Sequence, residues 1–63
     1  MNECAYRAYR RIRDSEASNE TKALAKAFLP QALVELGDLS VFWDTEEGSI
    51  IFESDSGTLT IIA

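Results

Sequence analysis

Apolar residues along the chain change their spacing near residue 37, and that change divides the sequence into two kinds of structure. From Glu3 to about Ser15 there is no Gly or Pro, and Ala5, Ala8, Tyr9 and Ile12 recur at helical spacing. They form the expected inward stripe of a first helix. Asn2 is placed to cap it, with Glu3 in the first turn, where a carboxylate faces the positive end of the helix dipole. Asp14 to Asn19 is a polar break. A second helix is expected from Ser18 or Asn19, with Leu24, Phe28, Leu29, Leu33 and Leu36 as its apolar positions. Pro30 lacks the N–H that would bond the carbonyl of Lys26, and it disfavours helical backbone at Leu29. The expectation is therefore a break near Leu29 and a short further helix from Pro30 to about Leu36, closed by Gly37. A kinked continuous helix is the competing reading.

After Gly37 the period becomes two. Leu39–Trp43, Ser49–Glu53 and Thr58–Ile62 are rich in Val, Ile, Phe, Trp and Thr, which favour strands. Turn residues separate them, Thr45-Glu46-Glu47-Gly48 and then Asp55-Ser56-Gly57, and both connections are too short for anything but hairpins. Matching faces sets Trp43 opposite Ile50, Val41 opposite Phe52, Phe52 opposite Leu59 and Ile50 opposite Ile61. Leu39, Val41, Trp43, Ile50, Phe52, Leu59 and Ile61 then share the inner face. A bulge at either glycine would reverse that assignment. The outer face is left with Ser40, Phe42, Ser49, Ile51, Glu53, Thr58, Thr60 and Ile62. Phe42, Ile51 and Ile62 make it a candidate apolar interface. The expected fold is α+β, with two or three N-terminal helices (about residues 3–36) packed on a C-terminal three-stranded antiparallel meander (about 39–62). The 63 residues form a single domain.

Composition narrows the chemistry. The chain has no histidine and one cysteine, Cys4, so neither a disulfide within the chain nor a zinc site of the usual nitrogen and sulfur type is expected. Nucleophilic catalysis lacks a base, and Glu46 and Glu47 sit on a solvated turn where nothing raises a carboxyl pKa. No glycine-rich phosphate loop is present. Asp44, Glu46 and Glu47 do not follow the spacing of a calcium-binding EF-hand loop. The reading is a protein without enzymatic activity, cofactor or metal. The N-terminus lacks the apolar stretch of a signal peptide, no run is long enough to span a bilayer, and a lone thiol fits a reducing cytoplasm.

Charge is the more informative feature. All six basic residues (Arg7, Arg10, Arg11, Arg13, Lys22 and Lys26) fall within residues 1–26, together with four acids. Residues 27–63 hold no Lys or Arg and seven acids: Glu35, Asp38, Asp44, Glu46, Glu47, Glu53 and Asp55. The arginine cluster reads either as a helix that contacts nucleic acid or as a set of partners for Glu3, Asp14, Glu16 or acids of the sheet. A sequence pI near 4.4 favours the second. The seven acids are the candidate partner-binding surface, because carboxylates on a rigid frame with no nearby lysine present a field like a row of phosphates and steer toward basic grooves. The competing reading is that they serve solubility alone.

A small acidic chain with an Arg-rich helix, a second helix and a three-stranded meander is similar in kind to small phage-encoded anti-CRISPR proteins. The resemblance covers the layout from Glu3 to Ile62, and no functional residue is carried over from it. It implies a stoichiometric inhibitor, a DNA mimic that occupies the positively charged DNA-binding surface of a Cas effector in the cytoplasm of an infected bacterium. Beside it, the expectation is no direct contact with nucleic acid or membrane, and a monomer or weak homodimer. Two alternatives stand beside it. One is a small antitoxin or repressor that uses the first helix on DNA, dimerised through Phe42, Ile51 and Ile62. The other is a subunit of a larger complex that docks through those same apolar residues.

Overall fold

In a computed structural model, which describes residues 3–63, the elements follow in the order α1 (Glu3–Asp14), α2 (Asn19–Leu36), β1 (Ser40–Asp44), β2 (Ser49–Ser54) and β3 (Gly57–Ile61). Asn2, the expected cap of α1, lies outside the described residues. Ser18 caps α2, accepting at its hydroxyl from the N–H of Thr21 (3.2 Å). Gly37 closes the helix at φ 73°, a conformation that favours glycine, and its N–H donates to the Leu33 carbonyl at 3.0 Å.

The helices number two, because α2 runs through Pro30 without a break. The expected third helix does not form. Pro30 is exposed, so its ring meets solvent rather than a packed neighbour. Buried residues on both sides of it, Leu29 at 5 % exposure and Ala32 at 1 %, anchor the two halves of α2 in the same core. Packing on both sides outweighs the one hydrogen bond that proline removes. Pro30→Ala restores that donor and removes no buried contact. It is expected to stabilise the chain by up to about 3 kcal/mol, read as a higher urea midpoint.

The sheet is antiparallel with strand order β1-β2-β3. Its register is the one that face-matching predicts: Val41 opposite Phe52, Trp43 opposite Ile50, Phe52 opposite Leu59 and Ile50 opposite Ile61. Neither glycine introduces a bulge. Gly48 takes φ 75° and donates its N–H to the Asp44 carbonyl at 2.8 Å, which closes the β1–β2 turn. One buried cluster holds Ala8 and Ile12 of α1, Ala25, Leu29 and Ala32 of α2, and Leu39, Val41, Ile50, Phe52 and Ile61 from the second half. Trp43, Leu33, Leu36 and Leu59 pack partly buried against it.

Five expected positions differ. Tyr9 is exposed rather than inward, because α1 buries only Ala8 and Ile12, and Leu24 and Phe28 are exposed because the stripe that α2 buries is Thr21, Ala25, Leu29 and Ala32. Ser49, placed on the outer face by alternation, is 1 % exposed, and its hydroxyl has no partner among the described residues. Alternation fixes which face a side chain takes and not how deeply its neighbours cover it. Ile62 follows the end of β3 instead of lying within it.

Candidate functional site

The basic residues are engaged close to home. Arg7 pairs with Glu3 one helical turn away at 2.9 Å, and Arg13 pairs with the adjacent Asp14 at 2.9 Å. Arg10 lies over the Tyr6 ring and Lys26 over the Tyr9 ring. The Lys22 ammonium donates to the Arg13 carbonyl at 2.9 Å. Arg11 reaches furthest along the chain. Its Nε donates to the Val41 carbonyl at 2.7 Å, and its guanidinium lies 5.1 Å from the centre of the Trp43 ring.

The Arg13–Asp14 contact shifts both groups. Its hydrogen bond, aided by the opposite charge, holds the Asp14 carboxyl below the usual carboxylate range and raises Arg13. A depressed carboxyl pKa contributes stability that is present above the unfolded-state value. That contribution is lost as pH falls through the folded-state value. The pair is solvent-exposed, so screening keeps its contribution small.

The seven acids of the second half stand differently. Among the described residues, none forms an ion pair with a Lys or Arg. Glu35, Asp38, Glu46, Glu47, Glu53 and Asp55 are exposed, and Asp44 is half-buried. They fall into two groups at opposite ends of the sheet. At the β1–β2 turn, one Asp44 carboxylate oxygen accepts from the N–H groups of Glu46 (3.0 Å) and Glu47 (3.3 Å). This fixes the turn and leaves the two glutamate side chains outside it.

At the other end, Ser40 of β1 pairs with Glu53 of β2, which brings Asp38 to the same end as Glu53 and Asp55. The end of α2 reaches this region too, since a Cβ at Gly57 would sit 3.7 Å from the Leu36 side chain. Glu35, one residue earlier, accepts from the Gln31 amide at 3.0 Å. No group of three or more acids and cysteine among the described residues is placed to hold a metal ion.

The apolar candidates are partly brought together. Phe42 and Ile51 are directly opposed on β1 and β2; Phe42 is 47 % exposed and Ile51 is half-buried. Ile62 is 51 % exposed beyond the end of β3. A feature that sequence reasoning missed is the open groove of about 340 Å³ between α1 and β1, lined by Cys4, Arg7, Arg11, Val41 and Phe42 among others. Its signal is a contact thirty residues apart in sequence, from Arg11 to Val41. No local pattern carries a contact of that range.

No described helix is long and apolar enough to cross a membrane. The arrangement defines a two-helix, three-stranded α+β protein with an acidic sheet. The chain matches no protein-family model, no curated protein and no solved structure.

Proposed function

We propose that this chain is a non-enzymatic, stoichiometric inhibitor that binds a basic protein surface through the carboxylates of its second half and so blocks nucleic acid there. In this reading the two helices cover the inner sheet face, and the acidic ends of the sheet meet the partner. One observation carries the reading: the six bases are occupied within the N-terminal elements or, for Arg11, against β1, whereas none of the seven later acids has a cationic partner among the described residues. Carboxylates left unneutralised on a rigid hairpin keep their full field for an approaching partner. The resemblance to small phage-encoded anti-CRISPR proteins suggests the DNA-binding surface of a Cas effector as that partner, in a bacterial cytoplasm. The test is displacement of target DNA from such a complex.

The engagement of the arginines argues against the antitoxin or repressor reading. The exposed pairs of Arg7 and Arg13 cost little to break, so the weight falls on Arg11, whose part-buried bond to the Val41 carbonyl a phosphate-binding helix would have to give up.

A second reading has its own support in the exposure of Phe42 beside Ile51, which suits a subunit that docks through its outer sheet face. Phe42→Asp separates the two. If the acids alone bind, the variant keeps its affinity for the partner within about threefold, since it adds one like charge near the surface. If the apolar face docks, binding is lost while the circular dichroism spectrum stays that of the parent.

A further inference from the structure

We propose that the open edge of β3 pairs with the same edge of a second copy of this chain, joining two three-stranded sheets into one six-stranded antiparallel sheet. The sheet has two edges, β1 and β3. The β1 edge is partly covered, because Arg11 donates to the outward Val41 carbonyl, its guanidinium lies over the Trp43 ring, and the Cys4 thiol lies 3.8 Å from the Leu39 carbonyl. The β3 edge is not. The two-residue turn at Asp55-Ser56 makes Ser54 and Gly57 a hydrogen-bonded pair. By alternation Leu59 and Ile61 also turn their N–H and C=O groups toward β2, while Thr58 and Thr60 turn theirs outward. Among the described residues these outward groups have no partner.

The devices that normally protect such an edge are missing from it. β3 contains no lysine and no proline, and its register with β2 is unbroken by a bulge. Its residues, Gly-Thr-Leu-Thr-Ile, favour strands.

Charge and symmetry select a second copy as the occupant. The chain carries a net charge of −5, yet Ser56 to Ala63 contains no ionisable side chain. Two acidic copies can therefore meet along this edge without opposing carboxylates. A two-fold axis through the seam at Thr60 pairs Thr60 with Thr60 of the second copy and Thr58 with Ile62 of the second copy. The outer row Phe42–Ile51–Thr60 then continues through the second Thr60 to the Ile51 and Phe42 beyond it. Glu53, opposite Thr58, faces the apolar Ile62 of the second copy across that strand and not another acid. The same pairing joins the two exposed apolar patches into one band. Proline or lysine at position 60 would break the seam without touching the core, because Thr60 is exposed.

Sedimentation velocity on the full chain, from about 1 µM to about 1 mM, tests this directly, together with hydrogen exchange at the Thr60 amide. The expected result is a concentration-dependent shift from monomer to dimer, with protection of that amide rising in parallel. Thr60→Pro deletes the donor at the centre of the seam, which an edge strand tolerates. Thr60→Lys sets two like charges face to face across it. Each is expected to weaken the dimer at least about tenfold, whereas Thr60→Val leaves it intact. Should the proline variant lose its fold by circular dichroism, the lysine variant decides, since its backbone is unchanged. A chain that stays monomeric throughout, a dimer as strong in Thr60→Lys as in the parent, or a dimer whose Thr60 amide stays unprotected overturns the proposal.

Discussion

Phe52→Ala is expected to leave the chain largely unfolded. Phe52 is the largest of the fully buried side chains, at 0 % exposure, and it sits on the central strand between Val41 and Leu59. Truncating a buried phenylalanine removes its transfer free energy and leaves a cavity, at a cost of about 3–5 kcal/mol. A chain of this length has a total stability of roughly 3–9 kcal/mol, so the loss is comparable to the whole. Neither a disulfide nor a second, separate core can compensate, because among the described residues the buried apolar side chains belong to one cluster, and Cys4 is the sole cysteine. Urea unfolding followed by far-ultraviolet circular dichroism checks it. Phe52→Leu, which keeps most of the volume, should retain a cooperative transition at a lower midpoint. A Phe52→Ala variant that unfolds within a few tenths molar of the parent would mean that the core lies elsewhere.

The second large effect concerns binding. Glu46→Lys with Glu47→Lys, and separately Glu53→Lys with Asp55→Lys, each reverse two exposed charges at one end of the sheet. Neither pair contributes a buried contact. Reversal also reduces self-repulsion in a chain of net charge −5, so stability should be unchanged or slightly higher. Affinity for a basic partner should fall about tenfold or more per double reversal, mainly through slower association. The dependence on salt should flatten in parallel, because fewer long-range attractions remain to be screened. Stopped-flow association at two ionic strengths reads both quantities.

Much of the sheet could be read from residues alone. The alternation of Val41 and Trp43 against Ile50 and Phe52 leaves one register that buries every large apolar residue of the inner set. A slip by one would expose them all. Gly37 was legible as a cap for a similar reason, since only glycine readily takes its conformation. The reading failed where tertiary packing overrides a local rule. At Pro30 the local rule is the lost hydrogen bond, and the burial of Leu29 and Ala32 on either side outweighs it. At Leu24 and Phe28 the pattern favours large side chains, while α2 buries its smaller ones, Ala25 and Ala32.

The candidate site was legible as a charge asymmetry and, once face-matching set the register, as two acidic groups: Asp44, Glu46 and Glu47 at the β1–β2 turn, and Asp38 with Glu53 and Asp55 at the other end beside Glu35 of the preceding helix. What was not legible is the setting of Arg11. That Arg11 is drawn to the β1 edge depends on a contact no local pattern contains. The pairing of Arg7 with Glu3 was accessible, because a four-residue spacing on a helix places the two side chains together.

The central claim is that the unpaired carboxylates of the second half occupy a basic nucleic-acid-binding surface. Its most direct measurement is fluorescence anisotropy of labelled target DNA bound to purified bacterial Cas effector complexes, titrated with this chain at low and high salt. The account predicts stoichiometric release of the DNA from one of these complexes, weakened by salt and abolished when Glu46, Glu47, Glu53 and Asp55 are all changed to lysine. It is contradicted if the DNA stays bound to every complex in the presence of the chain, or if the fourfold variant releases it as well as the parent at both salt concentrations.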